Sequence, residues 1–149
     1  MTNTGYKIIV TDVNKLKVVS ESAVIGTEKT NWAISKLMTA NCILHGKEAG
    51  IAAVQLGMPI RICLVNLKAN RALIMLNPEV VSVSDEVGTA REKCLSIPGK
   101  SYAVTRPLRV MVEYMDIKGE CHVLELEGSD ARRVQHEIDH MNGILISTK

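Results

Sequence analysis

One helix is predicted in the first third of the chain, where apolar residues recur every three or four positions. These positions are Ala33, Ile34, Leu37, Ala40 and Leu44. Thr27 or Thr30 can cap the N-terminus of this helix, and Gly46 can end it. The apolar stripe that results is expected to pack on the core.

Strands are predicted from residue 60 onwards. Residues 60–67, IRICLVNL, form a short apolar run rich in β-formers, which is typical of a buried strand. Residues 72–76 and 80–83 predict two further strands, and Asn77-Pro78 is expected to separate them.

The last third of the chain changes from strand spacing to helix spacing. Apolar and polar residues alternate over residues 108–115, and with the run 121–126 they predict a hairpin. Helical spacing follows the capping candidates Ser129 and Asp130, and Gly143 lies near the expected end of this helix. The apolar positions are Val134, Ile138, Met141 and Leu145.

Composition narrows the class of protein. A chain of 149 residues, 46% hydrophobic and 23% charged, suits one compact domain over residues 1–149. Its net charge of +2 comes from mixed signs, and it has one Trp and no Phe, so neither nucleic acid nor a membrane surface is an expected partner. Without a signal-like N-terminus, a spanning segment or paired cysteines, the protein is expected to be soluble and cytoplasmic.

The segment QHEIDHMNG, residues 135–143, carries the candidate chemistry. His136 and His140 are four residues apart, so on a helix they lie on one face, where they can bind one ion. Glu137 projects about 100° further round the helix, where a carboxylate can act as a general base beside such an ion. A surface helix that carries two histidines by chance fits the same letters.

A catalytic site of this type needs a third protein ligand. No donor follows His140, and the position where the long metalloprotease pattern has another histidine is Ile146. The third ligand is therefore expected upstream, where the strongest donors are His45, His122, Cys42, Cys63, Cys94 and Cys121. Only Cys94 lies in an irregular polar segment, REKCLSIPG, whereas the other cysteines are expected to be packed thiols on regular elements.

Three separated stretches resemble the signature motifs of the peptide deformylases: AGIAAVQLG at 49–57, EKCLS at 92–96 and QHEIDH at 135–140. The resemblance implies an α+β fold in which antiparallel strands pack around a C-terminal metal-binding helix. The metal ligands that it implies are Cys94, His136 and His140. It also favours iron(II) as the working ion, with zinc, nickel or cobalt as possible replacements.

The same resemblance implies roles for the residues around the ion. Glu137 would be the general acid and base, and Gln55 with the backbone N–H of Leu95 would donate to the oxyanion. Outside such a motif, Gln55 would be expected at a strand end on the surface. Gly50 would let the backbone approach a bound peptide closely.

The implied substrate is the N-terminal formylmethionine of nascent peptides, from which formate is released. A monomer is expected, in the cytoplasm of a bacterium or of a virus-infected bacterium. Proximity to the ribosome would be transient, because no C-terminal docking extension follows the last helix.

Several positions depart from the family pattern. Glu48 and Lys93 stand where glycine is usual, and both changes are expected to alter the rim of the cleft. Val54 stands where proline is common. None of these changes removes a ligand or a catalytic group.

Two further departures concern substrate choice. Ser129 and Arg133 lie seven and three residues before His136, so they share its helix face and should line the cleft. In the family these positions are commonly apolar and help form the methionine pocket. Either the Arg133 stem covers the pocket wall while its charge reaches solvent or an acidic neighbour, or the charge borders the pocket and relaxes the methionine preference.

Two other functions remain open from the sequence. One is a zinc endopeptidase of the H-E-x-x-H type, although no downstream ligand supports it. The other is a non-catalytic module that uses the ion for folding, in which Glu137 would be dispensable.

Overall fold

The computed structural model describes residues 9–44, 46 and 49–149. Within these ranges the α-helices are α1 (Val13–Leu16), α2 (Glu28–Ile43) and α3 (Gly128–Met141). The strands are β1 (Gly50–Ala52), β2 (Ile62–Leu67), β3 (Arg71–Val83), β4 (Val87–Cys94), β5 (Ile97–Pro107), β6 (Arg109–Met115) and β7 (Cys121–Glu127). Short 3₁₀ turns cover Ala53–Leu56 and Ile146–Thr148.

The strands form two antiparallel sheets. Five of them make one sheet in the order β1-β2-β3-β6-β7, and β4 pairs with β5 in a separate hairpin. Helix α3 packs against the larger sheet through an aliphatic core that contains Val134, Ile138 and Met141. This arrangement confirms the predicted α+β fold with antiparallel strands around a C-terminal helix. No helix in the described ranges is long and apolar enough to cross a bilayer.

Strand β2 is apolar except for Asn66 because both of its faces are covered. Cys63 and Val65 belong to the core beneath α3, whereas Ile62 and Leu64 belong to a second core beneath α2. Alternate residues of a strand point to opposite faces, so a strand between two helices requires a continuous apolar run such as residues 62–65.

Helix α2 is built as its sequence predicts. The Thr27 side chain accepts a hydrogen bond from the Thr30 backbone N–H and caps the helix. Ala33, Leu37 and Ala40 are fully buried in the second core. The helix ends at Ile43, three residues before Gly46.

The prediction of two strands separated at Asn77-Pro78 is wrong, because β3 runs through these residues with two register irregularities. Asn77 adopts a positive φ of 51°, and its side chain exchanges hydrogen bonds of 2.7 and 2.9 Å with the backbone of Ala23. Asparagine tolerates this conformation, and proline is accepted at a bulge, so the pair bends the strand instead of ending it.

The start and end of α3 also differ from the prediction. The N-cap residue is Glu127, and Ser129 and Asp130 lie inside the first turn, where Asp130 accepts a hydrogen bond from the Lys68 backbone N–H. Leu145 is buried but lies beyond the helix. The reversal occurs at Gly143, which has a positive φ of 72° and lies so close to Val18 that a Cβ would be 3.0 Å from its backbone nitrogen.

Candidate metal centre

Three of the candidate ligands meet where α3 passes the end of β4. His136 and His140 are one turn apart on α3, and Cys94 is the last residue of β4. The Cys94 Sγ atom lies 3.3 Å from His140 Nε2, and ligand atoms of the three side chains are all within 4.8 Å of one another. The structure therefore brings together one thiol and two imidazoles that can hold a single ion.

The other candidate donors lie elsewhere. His122 is on β7, where its Nε2 atom is 2.7 Å from Asp116 Oδ2. Cys63 is buried in the core, whereas Cys42 and Cys121 are exposed, contrary to their expected packing. His45 lies outside the described residues.

A network of charges fixes the orientation of His136. Its Nδ1 atom is 3.0 Å from Glu92 Oε1, and donation to that oxygen leaves Nε2 as the nitrogen that can bind an ion. Arg106 is 2% exposed and donates to both Glu92 oxygens, at 2.7 and 2.9 Å, and to Asp139 Oδ2 at 2.8 Å. Arg132 also donates to Glu92, at 2.7 Å.

This network lowers the pKa of Glu92. Burial alone would raise the pKa of Glu92, but hydrogen bonds from Arg106 and its neighbours outweigh burial and hold the pKa well below its ordinary value. Burial also opposes protonation of His136, yet hydrogen bonds to Cys94 and Glu92 raise the pKa of His136 to about 10. An ion that takes this imidazole as a ligand must therefore displace a proton.

Sequence reasoning gave no role to Glu92, Arg106, Arg132 or Asp139. One signal for Glu92 was present, since it lies two residues before Cys94 and must share its strand face. Arg106 contacts the site across the β4–β5 pairing, which the apolar pattern did not predict.

Glu137 lies at the bottom of the site and is 2% exposed. Burial raises the pKa of Glu137 to about 7, against the opposing effects of His136 and Arg106. Within the described chain, Glu137 Oε1 is buried without a hydrogen-bond partner. Burial, with the charges of His136 and Arg106, lowers the pKa of His140 to about 3, so this imidazole is neutral and suited to binding an ion.

Gln55 is buried on the 3₁₀ turn that follows β1, not on the surface at a strand end. Its Oε1 atom accepts from the Ala52 N–H at 3.0 Å, which directs the Nε2 amide towards Cys94 and Ser96. Nε2 lies 3.6 Å from Cys94 Sγ and 3.1 Å from Ser96 Oγ. Leu95 is on the turn between these two residues.

The candidate residues share one cleft. Its lining includes Gly50, Gln55, Cys94, Leu95, Ser129, Arg133, His136 and Glu137. His140 is 1% exposed and is not part of the lining.

The departures from the family pattern lie in different environments. Arg133 Nη1 donates to the Asn66 carbonyl at 2.6 Å, so within the described chain its guanidinium binds a backbone oxygen instead of an acidic neighbour. Lys93 is exposed on the cleft rim, and Val54 belongs to the core. Glu48 lies outside the described residues.

One cysteine and two histidines beside a buried carboxylate form the arrangement that metal-dependent hydrolases use. The sequence model of the polypeptide deformylase family matches residues 6–149. The chain belongs to this family.

Individual relatives agree with the family. The peptide deformylase of Bradyrhizobium diazoefficiens is 33% identical over 149 residues, which covers 93% of this chain and 83% of the relative. The peptide deformylase of Nitrobacter hamburgensis is 41% identical over 104 residues, which covers 64% of this chain and 59% of the relative. The match thus spans less than two thirds of that relative's length.

Solved structures show the same fold. The peptide deformylase of Thermotoga maritima superposes with a TM-score of 0.86 at 31% identity, covering 95% of both chains. A class I type b peptide deformylase from Acinetobacter baumannii, solved with Met-Ala-Ser bound, has a TM-score of 0.83 at 27% identity and covers 94% of this chain and 95% of its own.

Proposed function

We propose that this chain is a metal-dependent peptide deformylase, which removes the formyl group from the N-terminal formylmethionine of nascent peptides and releases formate. The observation that carries the proposal is the convergence of Cys94, His136 and His140 beside the buried Glu137 in a chain of this family. We further infer a single catalytic domain over residues 1–149 that acts as a monomer in the bacterial cytoplasm, with only transient ribosome proximity.

The donor set fits a divalent ion. Cys94, His136 and His140 would hold it, and three protein ligands are the number found in catalytic sites. Such an ion, when bound, supplies Lewis acidity at the formyl carbonyl and lowers the pKa of the attacking water. We infer iron(II) as the ion from the family resemblance, while zinc, nickel and cobalt suit the same ligands.

Glu137 moves the proton. Water attacks the formyl carbon, and the Glu137 carboxylate takes a proton from the water and delivers it to the amine as the carbon–nitrogen bond breaks. The products are formate and a peptide with a free N-terminus. A carboxyl with a pKa of about 7 can both accept and release a proton near neutral pH.

Charge that develops on the formyl oxygen is met by hydrogen-bond donors. The Gln55 amide is held by the Ala52 N–H, and the Leu95 N–H would be its partner donor. Losing one such donor typically costs about 3 kcal/mol of transition-state stabilisation. Gly50, Ser129 and Arg133 would contact the substrate along the cleft wall.

Formate release from formyl-Met-Ala-Ser by anaerobically purified protein tests the function. We expect stoichiometric formate and Met-Ala-Ser, with no cleavage of internal peptide bonds by mass spectrometry. Internal cleavage would instead identify an endopeptidase. Loss of folding on chelation, with no formate released at any metal content, would identify a metal-stabilised module.

A further inference from the structure

Three cationic side chains extend from the cleft along the β4–β5 hairpin. We name Arg91, Lys93 and Lys100 the basic strip. Arg91 and Lys93 are two residues apart on β4, so they share a face, and both line the cleft that contains Cys94. Lys93 and Lys100 line a second cavity, which adjoins the cleft because Lys93, Cys94 and Leu95 line both.

The charges of the basic strip are not neutralised within the described chain. Arg91, Lys93 and Lys100 are exposed, and none of them forms an ion pair with a described residue. Arg91 donates to the hydroxyl and the carbonyl of Ser101, both at 2.9 Å, which fixes its guanidinium over the hairpin without cancelling its charge. In contrast, the guanidinium of Arg132, which also lines the cleft, is paired with Glu92.

A bound peptide must leave the cleft in some direction. With its formyl group beside Cys94 and Glu137, and its first side chain at the wall of Ser129 and Arg133, the adjoining cavity of the hairpin continues the path. An extended chain advances about 3.3 Å per residue, so the second and third residues lie within about 10 Å of the formyl carbon. Lys93, which is next to Cys94, is within their reach.

We propose that the basic strip selects formyl peptides with acidic side chains at the second and third residues. The proposal rests on the deformylase function proposed above. Exposed, uncompensated cations attract acidic peptides and repel basic ones, mainly at the stage of encounter and binding. Single-stranded nucleic acid is a poorer fit, because none of the described residues that line the two cavities is a Phe, Tyr or Trp that could stack on a base.

Formyl-Met-Glu-Glu, formyl-Met-Ala-Ser and formyl-Met-Lys-Lys are the test substrates. We expect kcat/KM for the acidic peptide to exceed that for the basic peptide by about three- to tenfold at low ionic strength, and the ratio to shrink as salt is added. In Lys93→Glu, and independently in Lys100→Glu, the ratio should fall to one or invert. Lys100→Glu is the safer variant because it is further from the ligand Cys94.

Lys118→Glu is the matched control. Lys118 is exposed on the β6–β7 turn and lines neither cavity, yet its replacement changes the net charge by the same amount. The acidic preference should persist in this variant. Loss of the preference in Lys118→Glu would assign the effect to net charge and overturn the proposal.

Two other results would also overturn it. One is equal kcat/KM for the acidic and basic peptides in the wild-type protein at low salt. The other is inhibition by a short single-stranded RNA, relieved by Lys93→Glu, without any peptide preference. Calorimetric binding of the unformylated peptides Met-Glu-Glu and Met-Lys-Lys is measured in parallel, so the strip is tested even if no formate is released and the proposed function fails.

Discussion

At the scale of single residues, Gly50 leaves the space that the Glu137 carboxylate occupies. A Cβ at Gly50 would lie 2.8 Å from Glu137 Oε2 and 3.0 Å from the Leu64 carbonyl oxygen. The carbonyl is backbone and cannot move aside easily, so any side chain at this position would displace the carboxylate. Gly50 was expected to make room for a bound peptide. In the structure, its missing side chain makes room for the Glu137 carboxylate.

Replacement of Glu137 should separate metal binding from turnover. We expect Glu137→Ala to bind about one ion per chain and to lose nearly all formate release, because a base is removed and no ligand is lost. His136→Ala and Cys94→Ala should lose the ion as well. Metal analysis with kcat/KM on formyl-Met-Ala-Ser measures both, and substantial turnover by Glu137→Ala would refute the assigned role.

Arg133 should weaken the preference for methionine at the first residue. Arg133 lines the cleft and its guanidinium is held at the Asn66 carbonyl, from which we infer that its charge borders the space for that side chain. We expect Arg133→Ala to raise the preference for formyl-Met over formyl-Glu tripeptides by about tenfold, as expected for about 1–3 kcal/mol of pocket contact.

Arg71→Ala is the control for this prediction. Arg71 is exposed at the start of β3 and does not line the cleft. Its replacement should leave the ratio of kcat/KM values unchanged. An identical methionine preference in the wild-type protein and in Arg133→Ala would place the charge outside the pocket.

At the scale of elements, β4 connects the site to the rest of the molecule. Its last residue is Cys94, and Glu92, on the same strand face, joins His136 to the buried Arg106. The tail contributes as well, since Ile146 packs in one small cluster with Cys94. The position of the thiol therefore depends on the hairpin and on the end of the chain.

Glu92→Gln should weaken both folding and metal binding. The shape is retained, but Arg106 is left as a buried cation without its main partner, which costs about 3–5 kcal/mol of unfolding free energy. Loss of the oxygen that orients His136 should lower metal affinity by about 10- to 100-fold. Urea unfolding and metal titration measure these effects, and the exposed Glu113→Gln on β6 is the control.

The pH dependence of this contribution follows from the lowered pKa of Glu92. A carboxylate with a depressed folded-state pKa stabilises the fold fully above its unfolded pKa of about 4.3. The contribution is lost as pH falls below that value. Below about pH 4, where His136 and Glu137 are protonated in both proteins, the difference in stability between the wild-type protein and Glu92→Gln should therefore shrink as the pH falls. A difference that does not shrink would contradict the low pKa.

The regular spacing of apolar residues predicted the helix and the strands that bury one face or both faces in the core. The stripe of α2, the buried run of β2 and the β6–β7 hairpin all place apolar residues at regular spacing, so their prediction is confirmed. The β4–β5 hairpin is mostly exposed and carries mixed polar residues, so it has no such signal. The contacts of Arg106 with Glu92 and Asp139 join residues 14 and 33 positions apart, which no local pattern encodes.

At the scale of the whole molecule, the site depends on tertiary structure. Its side chains come from β4, α3 and the turn after β1, which meet only when α3 has packed on the sheet. The ion would therefore bind a site assembled by folding, and its binding should stabilise the whole fold.

Oxidation should inactivate the protein in a metal-dependent way. Cys94 as a ligand must be a thiolate, and iron(II) beside it can itself be oxidised. We expect peroxide to inactivate the iron form faster than the nickel form, whose ion resists this oxidation. The inactivation rates of the iron and nickel forms are measured as residual formate release after timed exposure to peroxide. Equal rates would show that oxidation of the iron is not the cause of inactivation.

The proposed deformylase activity depends on one ion held by Cys94, His136 and His140. It can be tested by an anaerobic titration of the metal-free protein with iron(II). At each step, the bound metal and the release of formate from formyl-Met-Ala-Ser are both measured. We expect activity to rise with occupancy and to saturate at one ion per chain. Formate release without metal, or no release at full occupancy, would contradict it.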